Sequence, residues 1–359
     1  MDKVIEGTLL WEPSEQQKTN ANITRYMAWL KDKKGLDFTS YDALWDWSSS
    51  DLEGFWASVW EFFDVKATKP YTKVLGERRM PGAQWFPGAE LNYAERALAR
   101  RDDHPAIIFR NEGGDARTLT YAELHRQVAS VAAGLRRLGV GKGDRVGAYL
   151  PNIPEAVVAF LSTVSIGAVW SSCSPDFGAR NVIDRFHQIE PTVLITVDGY
   201  HYNGKAFERM EASAEIQASL PTLKATVLVS YLNDDASLEG LKDAVAWDDL
   251  LGDNSPLVFE PVPFNHPLWV LYSSGTTGVP KAIVQSQGGI LIEHLKAISL
   301  HLDLTADDRF FWFTTTGWMM WNFLMGGLLH GMTIVLYDGS PAYPDMNAMW
   351  RLTEETGIT

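Results

Sequence analysis

The sequence predicts an α/β protein with mostly parallel sheets layered with helices, preceded by a helical region that is rich in aromatic residues. Two observations lead to this fold class. From about Pro105 onward, short runs of β-branched residues alternate with amphipathic helical patterns, which is typical of a sheet covered on both faces. Before that point, large aromatic residues recur at three- and four-residue steps. We therefore predict a helical region over 1–104 and an α/β region over 105–359.

The helical prediction depends on the segment DLEGFWASVWEFF. Its apolar residues follow the helical period and are Leu52, Phe55, Trp56, Val59, Trp60 and Phe63. Ser50 and Glu53 have the spacing of a capping box. A stripe of large rings usually packs against another surface, and stacking on a cofactor is the alternative.

The α/β region begins with AIIFR and ARTLTY, which flank the turn NEGGD and predict a hairpin. A helix then follows, capped by Thr120 with Glu123 and ended by Gly139. Its predicted buried stripe consists of Leu124, Val128, Val131, Leu135 and Leu138. The segments RVGAYL, TVLITVD, ATVLVS and LWVLYSS predict strands separated by helices.

A further unit consists of the strand RFFWFT, a helix from Trp321 to Leu329 and the strand MTIVLYD. The last predicted helix runs from about Asn347 to Glu355, with Gly357 as its cap. Ile358 and Thr359 then begin what would be the next strand. We expect from this ending that the chain is a fragment whose α/β region is incomplete at its C-terminus.

The amino-acid composition indicates which binding partners and which cellular compartment to expect. The formal net charge of -14 repels nucleic-acid phosphates and anionic lipids, so we expect neither nucleic acid nor a membrane as a partner. Cys173 is the only cysteine, which excludes an intrachain disulfide and predicts a buried structural thiol in a reducing compartment. The N-terminal residues lack the apolar core of a secretory signal. We expect a soluble, cytoplasmic protein.

The strongest chemical signal is LYSSGTTGVPK, from Leu271 to Lys281, directly after a predicted strand. In such a turn, backbone N–H groups and hydroxyls can converge on phosphate oxygens while the lysine adds a positive charge. A Walker A loop is disfavoured, because Pro280 precedes the lysine and Ala282 follows it. The alternative is a glycine-rich connection between a strand and a helix that binds no ligand.

The segment YSSGTTGVPK resembles the signature loop of the adenylate-forming superfamily. The segments WFPGAELNYAERAL, GDRVGAYLPNIPEAVVAFL, GAVWSSCSPDFG and TTGWMMWN narrow the resemblance to its acyl-CoA synthetase branch, and there to the acetoacetyl-CoA synthetases, which are similar to the acetyl-CoA synthetases. The resemblance extends from about Tyr41 to the last residue. It implies the large N-terminal domain of such an enzyme, with the small C-terminal domain absent.

The resemblance implies a ligase that activates acetoacetate with ATP and Mg²⁺ as its acyl-adenylate and then transfers the acyl group to coenzyme A. The implied phosphate-binding residues are Ser273, Ser274, Gly275, Thr276, Thr277, Gly278 and Lys281. Among them, Thr276, Thr277 and Lys281 are the expected catalytic residues, since charge that develops on the departing pyrophosphate must be neutralised. No metal ligand is assigned among the residues of the chain.

The resemblance also places the acyl pocket at the segment GWMMWN. The expected residues are Trp318, Met319, Met320, Trp321 and Asn322. Methionine suits a short apolar chain longer than acetyl, and Asn322 could donate to a second carbonyl. The alternative is an apolar helix start that packs in the core.

Coenzyme A is expected near Ser174 and Pro175, beside its adenine, with Lys205 close to its ribose phosphate. Tyr202 and Lys205 stand where acetyl-CoA synthetases have arginines, so a solvated surface is the alternative for Lys205. A ligase for acetate, propionate or another short acid, and a non-catalytic nucleotide-binding fragment, are the competing functions. We expect the chain alone to have little or no ligase activity.

Overall fold

Contacts between residues divide the chain into two compact units. The computed structural model describes residues 5–252, 255–273 and 278–359. One unit holds residues 1–65 and 295–304, and the other holds residues 66–294 and 305–359. We predicted a boundary after residue 104 between a helical region and an α/β region. The units above are defined by contacts between residues, so this boundary stays a prediction. Within the described residues, none of the helices has an apolar stretch of the length that a membrane span requires.

The first unit is helical. It contains α1 (Glu15–Asn20), α2 (Asn22–Lys34), α3 (Tyr41–Ser50), α4 (Leu52–Phe62) and a π-helical turn, Ala297–His301. The ring of Phe62 packs edge-on against Tyr26 with 5.1 Å between the ring centroids. Phe55 packs in the same way against Trp47 of α3, at 5.9 Å. Phe62 was not in the predicted stripe, but Phe55 was, and Val59 and Trp60 of that stripe are buried, so the prediction that this face packs against another surface is confirmed.

The predicted capping box of Ser50 and Glu53 is wrong. The N-cap of α4 is Asp51, whose carboxylate accepts a hydrogen bond from the backbone N–H of Gly54 at 3.0 Å. The hydroxyl of Ser50 instead donates to the carbonyl of Asp46 at 2.7 Å. Because α3 and α4 are separated by one residue, Ser50 still belongs to the last turn of α3 and only Asp51 is free to cap α4.

A seven-stranded sheet, buried in its central strands, lies in the second unit. In spatial order its strands are β10 (Ala244–Ala246), β9 (Ala225–Val229), β6 (Val193–Val197), β4 (Arg145–Tyr149), β5 (Val169–Cys173), β12 (Pro267–Ser273) and β13 (Lys281–Ser286). Neighbouring strands are parallel, except that β12 and β13 are antiparallel. Every residue of β5, β6 and β9 is buried, as expected for parallel strands covered on both faces.

A four-stranded sheet lies in the same unit. Its order is β14 (Arg309–Phe311), β15 (Thr333–Asp338), β2 (Pro105–Asn111) and β3 (Ala116–Thr120). The pair of β2 and β3 is the predicted hairpin, and the other pairs are parallel. Two short antiparallel pairs complete the strands, namely β1 (Glu90–Leu91) with β11 (Val262–Pro263), and β7 (Gly199–Tyr202) with β8 (Lys205–Glu208).

The helices of the second unit connect these strands. They are α5 (Tyr93–Ala97), α6 (Tyr121–Arg137), α7 (Pro154–Ser165), α8 (Ala179–Phe186), α9 (Met210–Ser219), α11 (Met319–Met325) and α12 (Ala348–Thr356), with α10 (Gln287–Lys296) reaching the first unit. The capping box of Thr120 and Glu123 at the start of α6 is confirmed. Gly357 ends α12 in the left-handed conformation, at φ +63°, as predicted.

Several predicted boundaries differ from the structure. The helix expected over Trp321 to Leu329 is divided into α11 and a 3₁₀ turn, Gly326–His330. The strand expected at RFFWFT ends at Phe311. Ile358 and Thr359 form no strand, although the backbone N–H of Thr359 donates to the carbonyl of Arg309 at 3.3 Å. A pair of glycines and a strand of only three residues give a weak hydrophobic period, so the sequence does not mark where these helices and strands end.

Candidate active site

The carboxyl ends of parallel strands from both sheets surround a cavity of about 270 Å³. Asn152 follows β4, and Ser174 and Asp176 follow β5. The remaining lining residues are Tyr200, Tyr202, Phe313, Thr314, Thr315, Tyr337, Asp338 and Gly339. Ligands of α/β proteins bind outside the carboxyl ends of the strands, because loops from several strands converge there. We call this space the strand-end cavity.

The predicted coenzyme A residues lie at and beside this cavity. Ser174 lines it, and the Ser174 hydroxyl donates to the carboxylate of Asp176. The carbonyl of Pro175 accepts hydrogen bonds from Tyr149 Oη at 2.9 Å and from Arg209 Nε at 2.7 Å. Lys205 is exposed, and it pairs with Tyr202 across the β7–β8 hairpin. Lys205 itself does not line the cavity, although its ladder partner Tyr202 does.

One carboxylate fixes the mouth of the strand-end cavity. Glu112, which follows β2, accepts hydrogen bonds from the backbone N–H groups of Asn203 at 2.9 Å, Gly204 at 2.8 Å and Ser340 at 2.8 Å. Asn203 and Gly204 form the turn between β7 and β8, with positive φ values of 53° and 72°. Glu112 thus joins the hairpin that carries Lys205 to the loop that follows β15. Glu112 was not among the residues expected from the sequence.

The glycine that precedes the predicted acyl residues, Gly317, packs against Ser174, one of the predicted coenzyme A residues. A Cβ atom at Gly317 would lie 3.1 Å from the backbone nitrogen of Ser174 and 3.1 Å from Phe177 Cζ, so a glycine permits this close approach. Trp318 caps α11 and Met319 begins it, and these two side chains are 59% and 48% exposed. Met320 is partly buried. Met319 is thus exposed and Met320 partly buried, and the acyl role of both residues stays a prediction.

The two following residues are buried. The ring of Trp321 stacks on Trp170 with 6.2 Å between the centroids, and its Nε1 donates to Asn152 Oδ1 at 3.0 Å. Trp321 therefore lies in the aromatic core behind the cavity. Asn322 is 1% exposed, and both atoms of its amide group lack a hydrogen-bond partner within the described residues. A buried amide without partners is costly, so this group is suited to a polar ligand or a water molecule.

The predicted phosphate loop connects β12 to β13. Ser274, Gly275, Thr276 and Thr277 lie outside the described residues. Ser273 ends β12 and Lys281 begins β13, and the two residues form a pair of the antiparallel ladder. Gly278 has a φ value of +112°, which favours glycine, and the carbonyl of Pro280 accepts a hydrogen bond from Gln188 Nε2 at 2.9 Å. The segment between Ser273 and Lys281 therefore joins two antiparallel strands, whereas the alternative that we considered was a connection from a strand to a helix.

Aromatic contacts link the start of this loop to the other predicted sites. Tyr272, next to Ser273, donates through its hydroxyl to the carbonyl of Arg185 at 2.7 Å. The guanidinium carbon of Arg185 lies 4.9 Å from the ring centroid of Phe177 and 5.8 Å from that of Tyr272. Phe177 in turn contacts Gly317. Phe177 thus lies between Arg185 and Gly317, which are neighbours of the predicted phosphate-binding and acyl segments.

The most unusual ionisable group in the strand-end cavity is Asp338, the last residue of β15. Burial raises the pKa of its carboxyl to about 7, with Asp176 and Glu112 adding to the rise. Asp338 as a residue is partly exposed, and it lines the cavity. Tyr231 Oη donates to Asp338 Oδ2 at 2.9 Å. Sequence reasoning missed this residue, although a carboxylate at the end of a buried parallel strand is a recognisable signal.

Cys173 is fully buried at the end of β5, and burial raises its pKa to about 12. Its prediction as a buried structural thiol is confirmed, because the thiolate is strongly disfavoured there. Within the described residues, no group of three or more His, Cys, Asp or Glu side chains is placed to hold a metal ion.

Comparison with known families shows which family this chain belongs to. The profile of the family described as AMP-binding enzyme matches residues 94–359. The chain belongs to the AMP-binding enzyme family. A second profile, described as acetyl-coenzyme A synthetase N-terminus, matches residues 41–97. The fold of the second unit is accordingly the α/β fold of this AMP-binding enzyme family, as the sequence analysis predicted.

Relatives of this AMP-binding chain include acetoacetyl-CoA synthetases. That of Rhizobium meliloti is 44% identical over 345 residues, which are 95% of this chain and 53% of the relative. That of Danio rerio is 41% identical over 370 residues, covering 100% of this chain and 55% of the relative. The solved structure of acetoacetyl-CoA synthetase from Streptomyces lividans is similar with a TM-score of 0.94 and 56% identity, over 98% of this chain and 54% of the other. The chain thus spans about half the length of these relatives.

Proposed function

We propose that the chain carries the phosphate, acyl and coenzyme A sites of an AMP-forming acid–thiol ligase. In this reaction a carboxylate oxygen of acetoacetate attacks the α-phosphorus of ATP, pyrophosphate leaves, and the thiol of coenzyme A then displaces AMP to give acetoacetyl-CoA. The observation that carries the proposal is the 56% identity to a solved acetoacetyl-CoA synthetase over 98% of the chain.

The geometry supports ATP at the β12–β13 hairpin. The loop residues Ser273 to Lys281 supply hydroxyls, glycine N–H groups and one cation, and these groups suit the phosphates of ATP. In our proposal Thr276, Thr277 and Lys281 neutralise the charge that develops on pyrophosphate. The described residues offer no cluster of metal ligands, so we assign no step to Mg²⁺ and expect it to arrive on the phosphates of ATP.

The acyl proposal depends on α11. Met319 and Met320 provide a deformable apolar wall, and Asn322 on the same helix provides an amide that has no hydrogen-bond partner among the described residues. Acetoacetate differs from acetate and propionate by a carbonyl at carbon 3, which can accept a hydrogen bond from Asn322 Nδ2. A site built to bind such a group rejects acids that lack it, because the buried amide then stays unpaired.

Release of AMP in the presence of ATP, Mg²⁺, coenzyme A and one acid tests this proposal. We would measure the chain itself and its fusion to the remaining half of the Streptomyces lividans synthetase. We expect the fusion to prefer acetoacetate over acetate and propionate, and to lose that preference in Asn322→Leu. An equal rate with all three acids would contradict the choice of acetoacetate. ATP binding without AMP release in either protein would favour a non-catalytic nucleotide-binding function.

A further inference from the structure

A short exposed loop of the second unit is closed at its base by backbone hydrogen bonds. The N–H group of Gly76 donates to the carbonyl of Gln84 at 2.7 Å, and the N–H group of Gln84 donates to the carbonyl of Glu77 at 3.3 Å. Residues 77–82 form the outer part of this loop, and all of them are exposed. We call these six residues the Met80 tip.

The Met80 tip presents one apolar side chain on a turn that is held in place. Among the large apolar side chains that the structure describes, Met80 is the most exposed, at 94%. The Nε of Arg79 donates to the carbonyl of Gly82 at 3.4 Å, and its Nη1 lies 3.5 Å from Glu77 Oε1. Gly82 has a φ value of +97°, which favours glycine. Because the turn is already ordered, Met80 loses little further freedom when it enters a binding site.

A groove of about 650 Å³ adjoins the tip. Its lining begins with Gly82 and Ala83 and includes the aromatic residues Trp85, Phe86 and Phe264. The rings of Phe86 and Phe264 are 5.0 Å apart between their centroids. Thioethers make favourable contacts with aromatic rings, and methionine fills irregular apolar spaces well. The groove therefore suits a methionine side chain, but Met80 of the same chain points into solvent.

We propose that a second copy of this chain occupies the groove, so that the Met80 tip of each copy enters the groove of the other. Tip and groove lie side by side on one surface. A two-fold axis that passes between them therefore makes both contacts at once, and the result is an isologous dimer. This inference goes beyond the proposed function and does not depend on it.

The charges at the contact also favour a second copy. The tip carries one carboxylate, Glu77, and two cations, Arg78 and Arg79, whereas the whole chain has a net charge of -14. Charges further apart than about 8 Å are screened at physiological ionic strength, so the groups at the contact matter more than the overall repulsion. Glu90 lines the groove with a side chain that is 37% exposed, and its carboxylate is available to Arg78 of the other copy.

Sedimentation velocity over a range of chain concentrations tests the proposal. The contact is small, so we expect a dimer with a dissociation constant on the order of 10 µM. Met80→Asp should raise this constant by at least about a hundredfold, because each dimer loses two buried methionines. Asn265→Arg should have a similar effect without changing the tip. Asn265 lines the groove at an exposed position of the turn from Pro263 to His266, so an arginine there blocks the groove without disturbing the core.

A mixture of the two variants gives the sharpest measurement. In a mixed dimer, the intact tip of the Asn265→Arg chain meets the intact groove of the Met80→Asp chain. At the other contact the introduced carboxylate meets the introduced cation. We expect the mixture to dimerise with a constant within about tenfold of the parent value, although neither variant dimerises alone. Such a rescue also shows that both variants are folded.

Met346→Asp is the matched control, because Met346 is 79% exposed and lies outside the groove. It should dimerise as the parent chain does. A parent chain that stays monomeric up to about 1 mM would overturn the proposal, and so would a dimer that both variants leave unchanged. A mixture that fails to dimerise would also overturn it. If the fusion to the remaining half of the Streptomyces lividans synthetase is monomeric and Asn265→Arg destabilises it, that half covers the groove and the proposal is wrong.

Discussion

Burial changes the protonation of single side chains in the core of the second unit. His294 is 6% exposed, and burial lowers its pKa to about 3. Burial also lowers the pKa of His330 to about 4. The unfolded chain, with histidine pKa values near 6.5, therefore binds more protons than the folded chain below that pH. The stability that neutral histidines provide is complete above about pH 6.5 and is lost as the pH falls.

Replacement of His294 tests this proton linkage. Each histidine adds a slope of up to about 1.4 kcal/mol per pH unit to the free energy of unfolding at acidic pH. His294→Leu should reduce the slope between about pH 6 and about pH 4, measured by urea unfolding at several pH values. His201→Leu, at an exposed position of β7, is the control and should leave the slope unchanged. An unchanged slope in His294→Leu would show that this histidine does not titrate with unfolding.

Lys281 is the second test at the residue scale. It is exposed at the first position of β13, so its removal should leave the folded state intact. If it neutralises the phosphates, Lys281→Ala should weaken ATP binding by about tenfold and slow pyrophosphate release in the fusion by about a hundredfold, since one such donor is worth about 3 kcal/mol of barrier. Lys142→Ala, at a partly exposed lysine paired with Glu260, is the control for charge. An equal loss of ATP affinity in both variants would mean that the net charge of the chain, and not the position of Lys281, determines ATP binding.

At the scale of helices and strands, Ser50 and Asp51 are both candidates for the N-cap of α4, and the structure selects Asp51. Asp51→Ala should lower the free energy of unfolding by about 1 kcal/mol, because the N–H of Gly54 loses its partner. Ser50→Ala should cost less, since the Ser50 hydroxyl donates to a carbonyl at the end of α3 and caps no N–H group. Thermal unfolding of the two variants makes the comparison. The reverse order would restore the capping box that the sequence predicted.

At the scale of the whole second unit, Glu112 connects β2, the β7–β8 turn and the loop after β15. Glu112→Ala should lower the free energy of unfolding by about 1 to 2 kcal/mol, since hydrogen bonds to a charged group are lost at a partly exposed position. It should also weaken binding of coenzyme A in the proposed function, because the cavity mouth loosens. Glu239→Ala, at an exposed site, is the control. A stability loss without any loss of affinity would limit Glu112 to a structural role.

The sequence by itself determined the α/β class, the central parallel strands, the β2–β3 hairpin and the cap of α6. These features depend on local patterns, since buried parallel strands are continuous apolar runs and a capping box is fixed by two residues. It also predicted a phosphate loop at Leu271 to Lys281, because a high density of glycine, hydroxyl and lysine residues is a chemical signal in itself, and that role stays a proposal. The strand β13 was not predicted, since its exposed edge position gives the residues Lys281–Ser286 no buried alternation.

Only the tertiary structure decided what surrounds each functional group. Asp338, Glu112 and Tyr231 come from distant parts of the chain, and neither their contacts nor the raised pKa of Asp338 can be read from neighbouring residues. The orphaned amide of Asn322 is likewise visible only once its surroundings are packed. The physical reason is that burial and hydrogen-bond partners are long-range properties, whereas periodicity and capping are set within a few residues.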